Sequence, residues 1–469
     1  MSASTRWLAA LAMAAFSAPA CLVAQERITA FVDVSVLPMD RERVLEHQTV
    51  IVRGENIQAL GPVASTRVPE GATRIDGRGK FLMPGLAEMH AHIPGAQAPE
   101  QVIADIMYLY IANGITTIRG MLGAPNQFQW RDRAVKNEIV APYMVLAGPS
   151  LNQNSATSVQ AAMTVVQQNA QAGYDLQKIH PGFGRAIYDS AAAAAKRANF
   201  KMAGHVPVEV GLRRALEVKQ DIDHLDGYLE AAVPEAVFAK IVHPTEVITW
   251  SEILRSIDHT KIPALVRATV SAGIYNSPTM YLWENIWGTI NVDSMARLPE
   301  MKYVPRQWVQ NWINQKNGRT PFDTQNNITP EDRKKLLEFR RALLDALADG
   351  GALLLMGTDS PQMFNVPGFA LHHELQLMRK SGLTPFQVLQ SGTVNVGRYT
   401  REVLGKPGNF GTVASGQRAD LVLLDANPFA DLTNVTKRSG VMARGRWFSA
   451  AELSAGLDAM ATRHAQTTN

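Results

Sequence analysis

From Phe81 to Ala352 the chain repeats one unit: an apolar, strand-like run, then a helix-like segment, then another run. The runs lie near Phe81, Ile115, Tyr143, Leu176, Lys201, Asp221, Ile274 and Ala352, and helix-like segments such as 185–200, 208–220 and 330–350 fall between them. Strands that alternate with helices pair in parallel, because each crossover helix returns the chain to the same end of the sheet. About eight such units close into a (β/α)8 TIM-like barrel, so the expected fold class is α/β. At 469 residues the chain is long enough for that barrel and a second domain.

In such a barrel the chemistry sits at the C-terminal ends of the strands. Several runs here end on a side chain able to bind a metal. The first is followed by "GLAEMHAH", with His90 and His92 two residues apart, so that both point to one side of a strand and can hold one ion. Further on, "GYDLQKIHPG" presents Lys178 and His180, "FKMAGHVP" presents His205, "QDIDHLDGY" presents His224, and "GGALLLMGTDSP" presents Asp359. Any one of these could be an ordinary hydrogen-bonding residue. Six of them in order, each at the end of its run, point to one constellation.

These residues resemble the amidohydrolase superfamily, in its imidazolonepropionase-like and Zn-dependent prolidase-like branch with a binuclear metal centre. The resemblance is carried by "PGLAEMHAH", "NGITTIRG", the lysine of "GYDLQKIH", "AGHVP", "DHLDGY", "GTDSP" and the tail "GTVASGQRADLVLLDANP". It implies that His90 and His92 ligate one ion and His205 and His224 the other. It also implies that Lys178 bridges them as a carboxylated lysine formed from CO2, and that Asp359 is both a ligand and the general base. Two divalent ions, zinc by the same resemblance, would share a hydroxide that attacks the carbonyl carbon of an amide. Asp359 would then carry a proton to the leaving amine. A free ammonium cannot ligate a cation, whereas a lysine carbamate offers two oxygens.

The resemblance also bears on the ends of the chain. From Ile28 the sequence alternates like β-structure in "ITAFVDVSVLPM", "TVIVRGENIQALG" and "ATRIDGRGKFLMPG", and "SGVMARGRWFSAAEL" near the end does the same. The expected organisation is a leader over 1–24, a small discontinuous β-sandwich from 25–82 and 406–469, and the barrel over 83–405.

Substrate contacts are less sharply drawn. His180 shares a strand face with Lys178 and should point into the barrel mouth, towards a substrate carbonyl. Tyr228 and Arg119 are candidates for binding a substrate carboxylate; a packed aromatic and an internal ion pair are the alternatives. Two insertions, 229–260 and 283–329, break the rhythm, and the second carries Trp283, Trp287, Trp308 and Trp312. Such a loop could wall the active site, or its tryptophans could pack against the barrel.

A formal net charge of +4 with scattered basic residues makes no case for nucleic-acid binding. Arg6 followed by the apolar stretch 7–24 reads as a secretory signal peptide cleaved near Ala24 or Ala20. A periplasmic or secreted protein with no stable membrane anchor is therefore expected. Cys21 is the only cysteine, so cleavage after Ala24 leaves no thiol, and a lipoprotein is disfavoured by the absence of a bulky aliphatic residue three places before Cys21. The partner is a small amide or dipeptide-like molecule, and a homo-oligomer stays open.

Three rivals also stay open. One is a mononuclear deaminase of the same superfamily, whose usual glutamate position here holds Val208, beside Glu209. Another is a cyclic-amide or lactone hydrolase. The third is a catalytically inactive binding scaffold.

Overall fold

The computed structural model describes residues 27–242 and 248–466. The leader, its cleavage sites and Cys21 lie outside them. Among the described residues no helix is long and apolar enough to cross a membrane.

The ends of the chain meet first. Strands β1 (Ile28–Val36), β2 (Leu45–Arg53), β3 (Asn56–Pro62), β4 (Thr73–Asp76) and β5 (Phe81–Pro84) come from the N-terminal side. The C-terminal side supplies β14 (Leu421–Leu424), β15 (Arg438–Ala443) and β16 (Arg446–Ser449). All eight belong to one sheet, ordered β16-β15-β14-β5-β1-β2-β3, with β4 also pairing β1. This β-domain is discontinuous in sequence. It encloses a core of its own, with Phe31, Val34, Val50, Leu82, Leu421 and Leu423 among its buried members.

One strand falls on the other side of the domain boundary from where the periodicity puts it. The run at Phe81, counted above as the first barrel strand, pairs with β1 and β14 in the terminal sheet. The barrel begins two residues later, after Gly85. There the chain passes so close to Thr116 that a Cβ at Gly85 would lie 2.2 Å from its Oγ1, which only glycine avoids.

The strands that follow are β6 (Leu86–Ala91), β7 (Ile115–Gly120), β8 (Tyr143–Leu146), β9 (Leu176–Ile179), β10 (Lys201–Gly204), β11 (Asp221–Asp223), β12 (Tyr275–Ser277) and β13 (Leu353–Leu354). Every ladder between neighbours is parallel: β6 with β7 and β7 with β8, then β9 through β13 in order. Parallel bridges Ala147↔Leu176 and Ala91↔Ser360 join the two runs, so the eight strands close on themselves. Each is followed by a crossover helix. Helix Arg185–Arg197 shows why: its alanine run gives high helix propensity and buries Tyr188, Ala191, Ala194 and Ala195 on one side. Helix Pro330–Asp349 starts at a capping box between Thr329 and Asp332, with proline in its first turn.

The second insertion folds into helices Met280–Trp287, Val292–Ala296, Arg306–Asn317 and Thr320–Gln325. Its tryptophans pack inwards. Trp287 is 4% exposed and lies against Trp250, Leu254, Leu336 and Leu337. Trp283 faces the Arg340 guanidinium at 4.1 Å. Trp312, 5% exposed, contacts Phe364.

Candidate metal centre

All six expected ligands converge at one end of the barrel. Residues 88, 90 and 92 share the inner face of β6 by the two-residue period, which turns both histidines inwards. Lys178 comes from β9, His205 follows β10, His224 follows β11 and Asp359 follows β13. His92 Nε2 is 2.6 Å from Asp359 Oδ1, His90 Nε2 is 3.5 Å from the same oxygen, and His224 Nε2 is 3.6 Å from Asp359 Oδ2. Lys178 Nζ lies 3.3 Å from His90 Nε2. The ring centroids of His90 and His224 are 4.5 Å apart and those of His224 and His205 4.6 Å, so the imidazoles form a continuous row. His180 continues it, 4.8 Å from His205.

The far nitrogens of three of these rings have hydrogen-bond partners, and that of His90 has a nearby carboxylate, none of which sequence reasoning could name. Asp226 binds His205 Nδ1 at 2.7 Å, Thr279 binds His224 Nδ1 at 2.8 Å, Ser150 binds His180 Nδ1, and Asp223 Oδ2 stands 3.2 Å from His90 Nδ1. A carboxylate or hydroxyl on Nδ1 fixes the ring and leaves Nε2 free to ligate. Asp223 escaped notice because it adjoins His224, and strict alternation would send the two to opposite faces. The left-handed backbone at His224 (φ 62) and Leu225 (φ 52) breaks that alternation.

Electrostatics agree with the ligand role. Burial, then the Lys178 charge, pushes the His90 imidazole down to about 4, and the same two causes take His180 down to about 3. Burial and the neighbouring His90 and His205 hold His224 well below its ordinary value. These rings are neutral at pH 7, as metal binding requires. Burial alone would raise the Asp359 carboxyl, but His90 and His92 outweigh it and hold the group ionised, below the usual carboxylate range. Three polar atoms here are buried without a hydrogen-bond partner: His90 Nδ1, which has the Asp223 carboxylate at ion-pair distance only, His224 Nε2 and Asp359 Oδ1. Ligand atoms of His90, His224 and Asp359 all lie within 4.8 Å of one another. Orphaned, neutral-nitrogen and carboxylate donors converging in a dry site fit a divalent cation.

Two expected substrate contacts are not brought to this site, and this corrects the carboxylate-binding expectation for them. Arg119 is wholly buried and donates to Met89 O, Tyr399 Oη, Asp223 Oδ1 and Ser277 Oγ. Tyr228 is equally buried, its hydroxyl bonded to Thr269 and Asn276. Their polar groups are committed inside the protein, so the ion-pair and packed-aromatic alternatives hold. Arg119→Ala is therefore expected to act on stability. Removing one partner of a buried pair costs about 3–5 kcal/mol, to be measured as a fall in Tm with no selective rise in KM for acidic substrates. A KM effect confined to acidic substrates would overturn this assignment.

His180, by contrast, lines a surface cavity with Leu122, Ser150, Asn152 and Gln153, beside the centre. Glu209, the carboxylate nearest the deaminase position, is exposed, and Val208 stands where that reading needs an acid.

The amidohydrolase family model matches residues 81–448. The chain belongs to the amidohydrolase family. As a member it is a hydrolase acting on carbon–nitrogen bonds. No curated protein sequence matches the chain significantly. Among solved structures, a Xaa-Pro dipeptidase with methionine bound in its active site is 17% identical, with a TM-score of 0.63 over 90% of this chain and 100% of that one. Bottromycin amidohydrolase is 20% identical, with a TM-score of 0.67 over 93% and 91%. A prolidase complexed with N-methylphosphonate-L-proline is 19% identical, with a TM-score of 0.62 over 90% and 99%. At these identities the likeness speaks for the fold: a barrel with a β-rich domain built from both termini.

Proposed function

We propose that this amidohydrolase is an exported, binuclear metal enzyme that hydrolyses the amide bond of a dipeptide or N-acyl amino acid. The observation that carries the reading is the meeting of Lys178 with four histidines and Asp359 in one cluster whose inner members, His90, Lys178, His224 and Asp359, are buried. His90 and His92 would hold one ion with Asp359, and His205 and His224 the other. Lys178, carboxylated, would join the two. Zinc suits this set of imidazole and carboxylate donors. Bound there, the metals supply a polarised carbonyl and a water whose pKa is brought towards neutrality.

The chain's own residues do the rest. Asp359, ionised beside His92, accepts a proton at a carboxylate oxygen and returns it to the departing amine nitrogen. His180, its Nδ1 held by Ser150 and its side chain lining the cavity, would offer its other nitrogen to the substrate carbonyl oxygen. His90, His224 and Lys178 are buried and keep bulk water out, which strengthens each of these interactions. The dipeptidase and bottromycin amidohydrolase relatives support an amide substrate, and the leader supports export.

Hydrolysis of a panel of dipeptides and N-acyl amino acids by the purified mature protein tests the reading. Activity should disappear on chelation and return with a divalent ion, and elemental analysis should find about two metals per chain. Release of ammonia from a heterocyclic amine, with about one metal per chain and no peptide cleavage, would move the assignment to the deaminase.

A further inference from the structure

The loop that carries Asp359 is held in an unfavourable backbone form. Asp359 (φ 65), Met363 (φ 46) and Phe364 (φ 66) all sit in the left-handed region, and none is glycine. Such residues persist only where their surroundings over-determine them. On the barrel side the loop is tied to β6: Thr358 donates from both its N–H and its Oγ1 to the Glu88 carboxylate, and Asp359 N–H donates to His90 O at 2.8 Å. These ties fix residues 358 and 359; the left-handed pair at 363 and 364 is the centre of a turn closed by Asn365 N–H to Gln362 O at 2.8 Å, and that turn as a whole still has to be held in place.

The other side is held by the tryptophan-rich insertion. Asn285, from helix Met280–Trp287, is 2% exposed, and its single amide group donates to Met363 O at 3.0 Å and to Asn365 Oδ1 at 2.8 Å. Asn365, wholly buried, passes the chain on by donating to Thr358 O at 2.6 Å, one residue before Asp359. Asn285 is itself anchored from behind, because Lys316 of the next long helix donates to its carbonyl at 2.6 Å. A second contact is independent of these bonds: Trp312 packs on Phe364, ring centroids 5.7 Å apart.

We propose that the insertion is a brace for the Asp359 loop, and that Asn285 is a positioning residue acting on Asp359 through Asn365 and Thr358. Both donor protons of one amide are used on two points of the same loop, so a residue with no donor releases Met363 and Asn365 together. The loop can then relax out of its left-handed form, and the Asp359 carboxylate moves away from His90 and His92. The proposal rests on Asp359 being the ligand and proton acceptor described above, and its test is chosen to be readable without a substrate.

That test combines Zn2+ affinity, by competition with a chromophoric chelator, with hydrogen exchange over residues 358–366 in wild type, Asn285→Ala, Asn285→Ser and Asn365→Ala. The alanine variant is expected to bind Zn2+ about tenfold more weakly and to exchange faster across 358–366 while the barrel strands keep their protection. Asn285→Ser, which retains one donor, should fall between. In the Asn365→Ala background the Asn285→Ala effect on Zn2+ affinity should shrink, because the two act in series. In the wild type, residues 280–287 and 358–366 should open as one unit, which decides the matter even if a variant does not fold. A lower Tm with unchanged Zn2+ affinity and loop exchange, additive effects of the two asparagines, or independent opening of the two segments would each overturn the brace. Failure to cleave any amide with these results intact would count against the proposed reaction alone.

Discussion

Lys178→Ala is expected to give a folded protein that retains at most about one metal ion and lacks the CO2 adduct that wild type is expected to show by intact mass in bicarbonate. Lys178 is wholly buried, and its Nζ lies 3.3 Å from both His90 Nε2 and Asp223 Oδ2. A lysine kept there for a structural ion pair would be redundant, because Asp223 already holds Arg119 at 3.0 Å. The loss of metal removes several kcal/mol of transition-state stabilisation, and at about 1.4 kcal/mol per tenfold the rate falls by at least about a thousandfold. Elemental analysis, mass and kcat/KM are read on the same preparation. Two metals and near-normal turnover in the variant would remove Lys178 from the centre.

Asp359→Asn keeps the side chain's shape, removes its capacity to carry a proton and puts a neutral amide in place of an ionised ligand, so it is assayed in excess divalent ion with its metal content checked. The expected loss in kcat is about 10²–10⁴-fold, with KM little changed, since no substrate contact is deleted. The acid limb of the pH–rate profile should vanish with it; a variant within about threefold of wild-type kcat would exclude Asp359 as the proton carrier. Stability supplies a second readout in the metal-free protein. The folded-state carboxyl is held below its unfolded value by His90 and His92 against the opposing effect of burial. The stabilisation it supplies is therefore complete above the unfolded carboxylate pKa of about 4 and is lost as pH falls below it. Wild type should lose Tm more steeply than Asp359→Asn as pH is lowered through that range.

Much of this centre was legible before any tertiary contact was known. His90, His92, Lys178, His205, His224 and Asp359 each end a strand-like run, and a parallel barrel gathers strand ends by construction, so order along the chain translated directly into proximity. The partners on their far nitrogens were not legible. Asp226 and Thr279 lie on loops after their strands, where no period predicts direction, and Asp223 was hidden by the turn at His224. Arg119 shows the opposite failure. At the end of β7 it looked like a substrate ligand, yet its long side chain folds into the barrel interior, where Met89 O, Asp223 and Ser277 saturate it.

What the amino-acid order determined by itself is the repeating strand–helix pattern, the metal-binding residue types at the strand ends and the pairing of β-rich termini, because these follow from local periodicity and side-chain chemistry. Only the tertiary structure decided between the two places the sequence left open for the run at Phe81, the terminal sheet and the barrel, and only it showed that Arg119 and Tyr228 are internal and that the tryptophan-rich insertion packs behind the Asp359 loop. Each of those depends on which distant groups compete for the same hydrogen bonds and the same buried space, and that competition has no period along the chain.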